Sequence, residues 1–231
     1  MSDQVVVRQI ERADPDVITG LGEAGVATVH EAAGQIGLLP PRIRPIQAGV
    51  SVAGSAVTVS CPPGDNMMIH AAVEVVEPGD ILLVAVQAPS THGMFGELLA
   101  TSLRVRGCRG LIIDAGVRDT AELRQMGFPV WARSVHAQGT VKESAGSVNR
   151  PVRFGDLTVK AGDVVVADDD GVVAVPRDDA AATLAASRER LAREEDVRQR
   201  LADGELGIDF YGLRGRLEGL GVRWVDGSED I

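Results

Sequence analysis

Between Val50 and Ala132 the chain repeats one pattern, an apolar β-branched run followed by a stretch of helical spacing. The runs Val50–Cys61 (VSVAGSAVTVSC), Ile81–Val86, Gly110–Asp114 and Phe128–Ala132 read as strands. The segments Asp65–Val76, Gly96 to about Arg106 and Asp119–Met126 read as the helices between them, the first ended by Pro78-Gly79-Asp80. Strands alternating with helices at this spacing need right-handed crossovers, and so predict a mainly parallel sheet. The continuous apolar character of Ile81–Val86 predicts a strand buried on both faces.

The flanks differ. Asp14 to Gln35 is helical in pattern, with Asp14-Pro15 as its start and Gly20, Gly22 and Gly25 as breaks; Thr28 and Glu31 have capping-box spacing for the second piece. Pro40, Pro41 and Pro45 form a connector. After Val148 come short β-rich runs, Pro151–Phe154, Leu157–Val159, Val164–Ala167 and Val172–Val175, separated by turn signals, which predict antiparallel pairing. A charged helix from Asp178 to about Asp203 and the tail GELGIDFYGLRGRLEGLGVRWV follow. A short echo links EPGDILLVA at Glu77 to KAGDVVVAD at Lys160, in both cases a turn feeding an apolar strand. The expected architecture is an α/β sandwich with a central mixed, largely parallel sheet, a hairpin-rich second half and a C-terminal helical extension. It reads as a single domain over 1–231: a helical segment 1–35, a core 36–176, and a helix and tail 177–231.

The formal net charge of −10 argues against nucleic acid as a partner, because phosphate binding needs a basic surface. Cys61 and Cys108 are too few for a disulfide framework or a cysteine metal site. The segment MSDQVVVRQIERADPD lacks the basic and apolar regions of a signal peptide, and no apolar run approaches the ~20 residues of a spanning helix. A cytoplasmic protein without membrane attachment is expected.

In parallel α/β sheets ligands sit beyond the C-terminal strand ends. Two such junctions stand out, PSTHGMFGELL at Pro89–Leu99 and AGVRD at Ala115–Asp119. Gly96 stands at a helix start, whose free N–H groups can hold a carboxylate or an enolate oxygen; the same local sequence also suits an ordinary loop. Arg118 can grip a carboxylate with two parallel hydrogen bonds, and Asp119 can offer an oxygen to a divalent cation. Equally, Asp119 and Glu122 have capping-box spacing, with Arg118 as a surface charge. His30, His70, His92 and His136 have no neighbouring His or Cys of zinc-motif spacing, and His70 reads as a hydrogen-bonded residue buried in its helix. Asp168-Asp169-Asp170-Gly171 lacks the downstream Glu of an EF-hand loop and reads as a hairpin turn. The run SRERLAREEDVRQR reads as a solvated helix face.

The pattern G-E-L-L-A at Gly96 followed by L-R-x-R-G-C-R-G-L-I-I-D-A-G-V-R-D from Leu103 to Asp119 resembles one family. It unites the regulators of RNase E activity with the divalent-metal-dependent class II pyruvate aldolases, and the resemblance runs from about Val26 to Val225. It implies a lyase cleaving 4-hydroxy-4-methyl-2-oxoglutarate or 4-carboxy-4-hydroxy-2-oxoadipate to pyruvate plus pyruvate or oxaloacetate, with oxaloacetate decarboxylation as a side activity. Asp119 would ligate Mg²⁺ or Mn²⁺ directly. Arg118 would bind the pyruvyl portion and stabilise the enolate. The backbone of Gly96, Glu97, Leu98 and Leu99 would hold the pyruvate carboxylate, and Glu97 would meet the metal through water, as would Glu194 or Glu195 from a neighbouring subunit. Lys142 is a candidate contact for a substrate carboxylate. The substrate class is a small 2-oxo dicarboxylate or tricarboxylate, and the assembly a homotrimer or hexamer in which the C-terminal tail contacts a neighbouring subunit. The alternatives are a non-catalytic protein docking on an RNA-degrading enzyme and a dedicated oxaloacetate decarboxylase. The tail from Gly204 through Leu213 resembles the aldolase branch.

Overall fold

The expected strand–helix alternation builds one sheet in the computed structural model, which describes residues 4–227. The chain divides into two compact units, residues 1–188 and 189–231. In the first, α1 (Pro15–Ala32) and a two-residue edge strand β1 (Arg44–Pro45) precede β2 (Val52–Cys61). Then follow α2 (Met67–Val73), β3 (Asp80–Val86), β4 (Gly93–Phe95), α3 (Glu97–Val105), β5 (Gly110–Val117), α4 (Thr120–Gln125) and β6 (Val130–Val135). Strands β2, β3, β5 and β6 lie side by side and parallel. Each crossover advances the sheet by one position in the same direction, so α2, α3 and α4 fall on one face. Their apolar residues, among them Ile69, Leu103 and Leu123, bury against Val57, Leu82, Leu111 and Ile113.

The second half adds β7 (Ser147–Val148), β8 (Val152–Phe154), β9 (Leu157–Val159), β10 (Val164–Ala167) and β11 (Val172–Val175). As the turn signals predict, β10 and β11 pair antiparallel, and β10 extends the main sheet antiparallel to β2. The hairpin β8–β9 is a separate two-stranded sheet, and its Val152, Phe154 and Val159 cluster with Ile81, Leu83, Ile112 and Trp131. The result is the mixed α/β architecture expected from the sequence. Helix α5 (Ala180–Ala202) begins in the first unit, where Ala180 and Leu184 pack with α1 against Val164, Val166, Val173 and Val175.

The second unit holds the rest of α5, then α6 (Gly207–Phe210) and α7 (Leu213–Gly219). None of its described residues is buried, although Leu206, Tyr211, Leu220 and Trp224 are large and apolar. Among the described residues no helix is long and apolar enough to cross a membrane.

Two sequence features acquire a structural reason. The echo at Glu77 and Lys160 is a repeated turn: the Asp80 carboxylate accepts from the Glu77 N–H at 2.8 Å, and Asp163 accepts from the Lys160 N–H at 2.8 Å. The glycine break in the N-terminal segment is a kink at Gly25 inside α1 (φ 79°, ψ 162°). The Val26 N–H, freed there, donates at 2.9 Å to Asp168 in the β10–β11 turn, so the acidic hairpin caps the second half of α1.

Candidate functional site

Strand β5 continues three residues beyond its predicted end. Asp114, a residue disfavoured in strands, is tolerated because Arg42 grips both its carboxylate oxygens (3.0 and 2.6 Å) and Arg133 donates to one at 2.8 Å. Burial acts to raise the Asp114 pKa, but hydrogen bonds from the two guanidiniums outweigh it and hold the carboxyl below its ordinary value. The added residues Gly116 and Val117 pair with β4 on one side and β6 on the other. No sequence signal marks β4, whose three residues stand within the Pro89–Leu99 junction.

At the end of β5 the chain delivers Arg118 and Asp119. The Arg118 N–H donates to the Phe95 carbonyl at 2.9 Å, tying this corner to the start of α3. Asp119 adopts the left-handed conformation (φ 54°, ψ 41°), uncommon for a residue other than glycine but accessible to Asp. Its side chain makes no capping bond to α4, contrary to the capping-box reading. The carboxylate turns across to α3, where Oδ2 accepts from the Glu97 N–H at 3.1 Å, with the Arg118 Nε 3.6 Å away. Gly96, at the α3 N-cap, is required by this approach: a Cβ there would stand 3.0 Å from the Asp119 Cγ and closer still to Oδ2.

These groups line a cavity of about 210 Å³. Gly96, Leu98, Leu99, Arg118 and Asp119 line it together with Asn66 and His70, from the N-cap and body of α2, and Thr140 and Lys142 from the 139–142 segment. Glu97 is not among the lining residues; its Oε1 accepts from the Thr101 hydroxyl at 3.0 Å, along its own helix. Glu194 and Glu195 lie in the second unit, paired with Arg190 at 2.8 Å and with Arg198. His70 is exposed and faces the cavity, correcting the buried reading. Partial desolvation, then the nearby Lys142 ammonium, lowers its pKa. Asn66 escaped the sequence reading because nothing local marks it. It is buried, its amide donates to the Met94 carbonyl at 3.0 Å, and its Oδ1 has no hydrogen-bond partner. Among the described residues no cluster of three or more His, Cys, Asp or Glu side chains could hold a metal.

The sequence model of the RraA-like family, described as Aldolase/RraA, matches residues 24–174 and so includes every one of these cavity residues. The chain belongs to the RraA-like family. Within it, a provisionally named 4-hydroxy-4-methyl-2-oxoglutarate aldolase from Halalkalibacterium halodurans is 24% identical over 87% of this chain and 96% of its own length. A protein of the same provisional name from Burkholderia multivorans is 32% identical over 62% of this chain and 86% of that one. The crystal structure of RraAS2 from Streptomyces coelicolor, described as an unusual member of the RNase ES inhibitor RraA protein family, matches with a TM-score of 0.74. It is 27% identical, covering 82% of this chain and all of that one. The RraA-like fold thus carries relatives named for catalysis and others named for inhibition, and the family alone does not choose between them.

Proposed function

We propose that this protein is a divalent-metal-dependent class II aldolase, cleaving 4-hydroxy-4-methyl-2-oxoglutarate or 4-carboxy-4-hydroxy-2-oxoadipate to pyruvate plus pyruvate or oxaloacetate. The observation that carries the reading is the convergence of a guanidinium, a carboxylate and a helix N-terminus on one cavity. The Glu97 N–H is already bonded to Asp119, so the carboxylate of the pyruvyl group falls to the first-turn N–H groups of Leu98 and Leu99, which have no partner within the helix. Arg118, exposed beside them, donates to the adjacent ketone oxygen, where negative charge grows as the bond breaks.

Asp119 fits a magnesium-type cation. Its Oδ2 is engaged by Glu97, while Oδ1 carries no hydrogen bond to the described residues. One protein carboxylate, with the other positions left to water and substrate oxygens, is the usual way proteins hold Mg²⁺. When bound there, Mg²⁺ or Mn²⁺ supplies Lewis-acid stabilisation of the enolate oxygen. In the cleavage itself the C4 hydroxyl loses its proton and the C3–C4 electron pair moves into the enolate, which then takes a proton at C3 to give pyruvate. Oxaloacetate reaches the same enolate by losing CO₂, which supports a decarboxylase side activity. The exposed apolar residues of the second unit support assembly with further copies of the chain, as a trimer or hexamer. The same reading places the protein in the cytoplasm.

The second reading, a protein that docks on an RNA-degrading enzyme, is favoured by the likeness to RraAS2 over all of that chain. The test is pyruvate release from oxaloacetate and from a 4-hydroxy-2-oxo diacid, after EDTA and then after Mg²⁺. Aldolase function predicts turnover of both, abolished by EDTA and restored by Mg²⁺. Turnover of oxaloacetate alone selects the dedicated decarboxylase, and turnover of neither removes the enzymatic reading. Asp119→Asn is expected to lose at least 100-fold in kcat; full activity would remove Asp119 from its role.

A further inference from the structure

Behind the cavity wall lies a carboxylate that the proposed reaction does not use. Asp65 is only 2% exposed and does not line the cavity. Its Oδ1 accepts from the Met67 N–H at 2.9 Å, at the start of α2. Its Oδ2 accepts from two consecutive backbone donors, Glu143 at 2.7 Å and Ser144 at 2.6 Å. The same two segments are stitched by the backbone, since Val141 N–H donates to Gly64 O at 3.0 Å and Asn66 N–H to Val141 O at 3.2 Å. Residues 136–146 contain no helix and only a single bridging residue, Val141, so these bonds fix the path at 141–144, as Gln138 is held earlier by the Gly93 N–H. Burial would raise the Asp65 pKa, but the backbone donors, with the Ser144 hydroxyl, outweigh it and hold the carboxyl below its ordinary value.

Lys142 sits between the two anchors, Val141 before it and Glu143 after it, and lines the cavity together with Thr140. A lysine stem is long and flexible, so an ammonium is placed only as well as its backbone is held. We propose that Asp65 is a positioning residue for substrate selection: by pinning the Glu143 and Ser144 amides it sets Lys142 to receive the substrate carboxylate remote from the pyruvyl group. This rests on the aldolase reading above. Asp65 thereby couples the loop after β2, the N-terminus of α2 and the 140–144 segment, which contribute Asn66, His70, Thr140 and Lys142 to the same cavity as Arg118 and Asp119. A neutral amide at this position could not accept from all three N–H groups, because one of its two terminal atoms is itself a donor, and it would hold the Glu143 and Ser144 amides without the carboxylate's charge.

The test uses the Mg²⁺-loaded full chain and three variants, Asp65→Asn, Lys142→Ala and the double. Steady-state cleavage of 4-carboxy-4-hydroxy-2-oxoadipate is compared with Mg²⁺-dependent C3 proton exchange of pyruvate, which has no remote carboxylate. Each single variant is expected to raise KM for the large substrate about tenfold and leave pyruvate exchange within twofold. The double is expected to match the singles, because two parts of one unit are not additive. A general loss of kcat and exchange in Asp65→Asn, or a KM in the double equal to the product of the single effects, overturns the proposal. Hydrogen exchange at the Glu143 and Ser144 amides gives a readout independent of turnover: it should accelerate at least tenfold in Asp65→Asn, and unchanged protection overturns the proposal. Should Asp65→Asn fail to fold, Ser144→Pro removes the Ser144 N–H and hydroxyl donors with Asp65 intact and should raise KM in the same selective way; an unchanged KM overturns it. If the wild type turns over nothing, the aldolase reading fails by itself. Calorimetric binding of tricarballylate, weakened tenfold or not by each variant, then decides the positioning role.

Discussion

A single added methyl group at Gly96 tests whether the site depends on the contact between the two strand-end corners. Gly96 has extended backbone (φ −160°, ψ −166°), which any residue adopts, so Gly96→Ala carries no dihedral penalty. Its Cβ would, however, lie 3.0 Å from the Asp119 Cγ, 3.2 Å from the Arg118 Cγ and nearer still to Asp119 Oδ2. Reaching ordinary van der Waals separation requires the carboxylate to retreat by on the order of 1 Å. Asp119 has little freedom to do so, being a short side chain on a backbone held left-handed at the start of α4. The hydrogen bond from the Glu97 N–H would be lost, a cost of roughly 1.5–3 kcal/mol for a charged acceptor. Reduced freedom of the unfolded chain returns about 0.4–1 kcal/mol, which leaves a net destabilisation of roughly 0.5–2.6 kcal/mol. Activity should suffer more, since misplacing a reacting group by about 1 Å costs about 100-fold. The assay pairs urea denaturation with Mg²⁺-dependent pyruvate release. A Gly96→Ala protein with wild-type kcat would refute the idea that Asp119 must lie against the α3 N-terminus.

Three further outcomes follow from the same geometry. Asp114→Ala strands the Arg42 and Arg133 guanidiniums and should cost about 3 kcal/mol in urea denaturation. Because the folded-state pKa of Asp114 is depressed, its contribution is present above the ordinary carboxylate value near 3.9 and lost as pH falls through the folded value. Acid titration of wild type and variant should therefore converge only below about pH 4. Asp168→Ala uncaps Val26 at the α1 kink and should lower stability by about 1 kcal/mol, read as a shift in urea midpoint at constant slope. Burial pushes the Cys61 and Cys108 thiols up to about 12 and about 11, so neither should react with a disulfide reagent at pH 8 until the chain is unfolded.

The parallel sheet was legible because its signals are local. Apolar runs such as Ile81–Ala85 and Leu111–Ile113 are buried on both faces, and the segments between them carry helical spacing. The hairpins after Val148 were legible for the same reason, since turn residues and β-branched runs fix their own pairing. Strand ends were less so. Asp114 reads as a terminator until Arg42, distant in sequence, is brought beside it. The junction of Arg118 and Asp119 stood out as a candidate site from its residue types, yet local spacing pointed Asp119 at the wrong helix. His70 and Asn66 carried no local mark of facing a cavity, because that depends on where the 139–142 segment returns.

By itself the sequence determined the element order, the parallel character of the central sheet and the two residue types at its business end. Those follow from side-chain periodicity and backbone preference, which act over a few residues. Tertiary structure alone decided that the Asp119 carboxylate serves α3 and not its own helix, that Gly96 must lack a side chain, and that a buried Asp65 accepts from the Glu143 and Ser144 amides. Each is a contact between segments more than 20 residues apart, and no local preference encodes which carboxylate an unpaired N–H will meet.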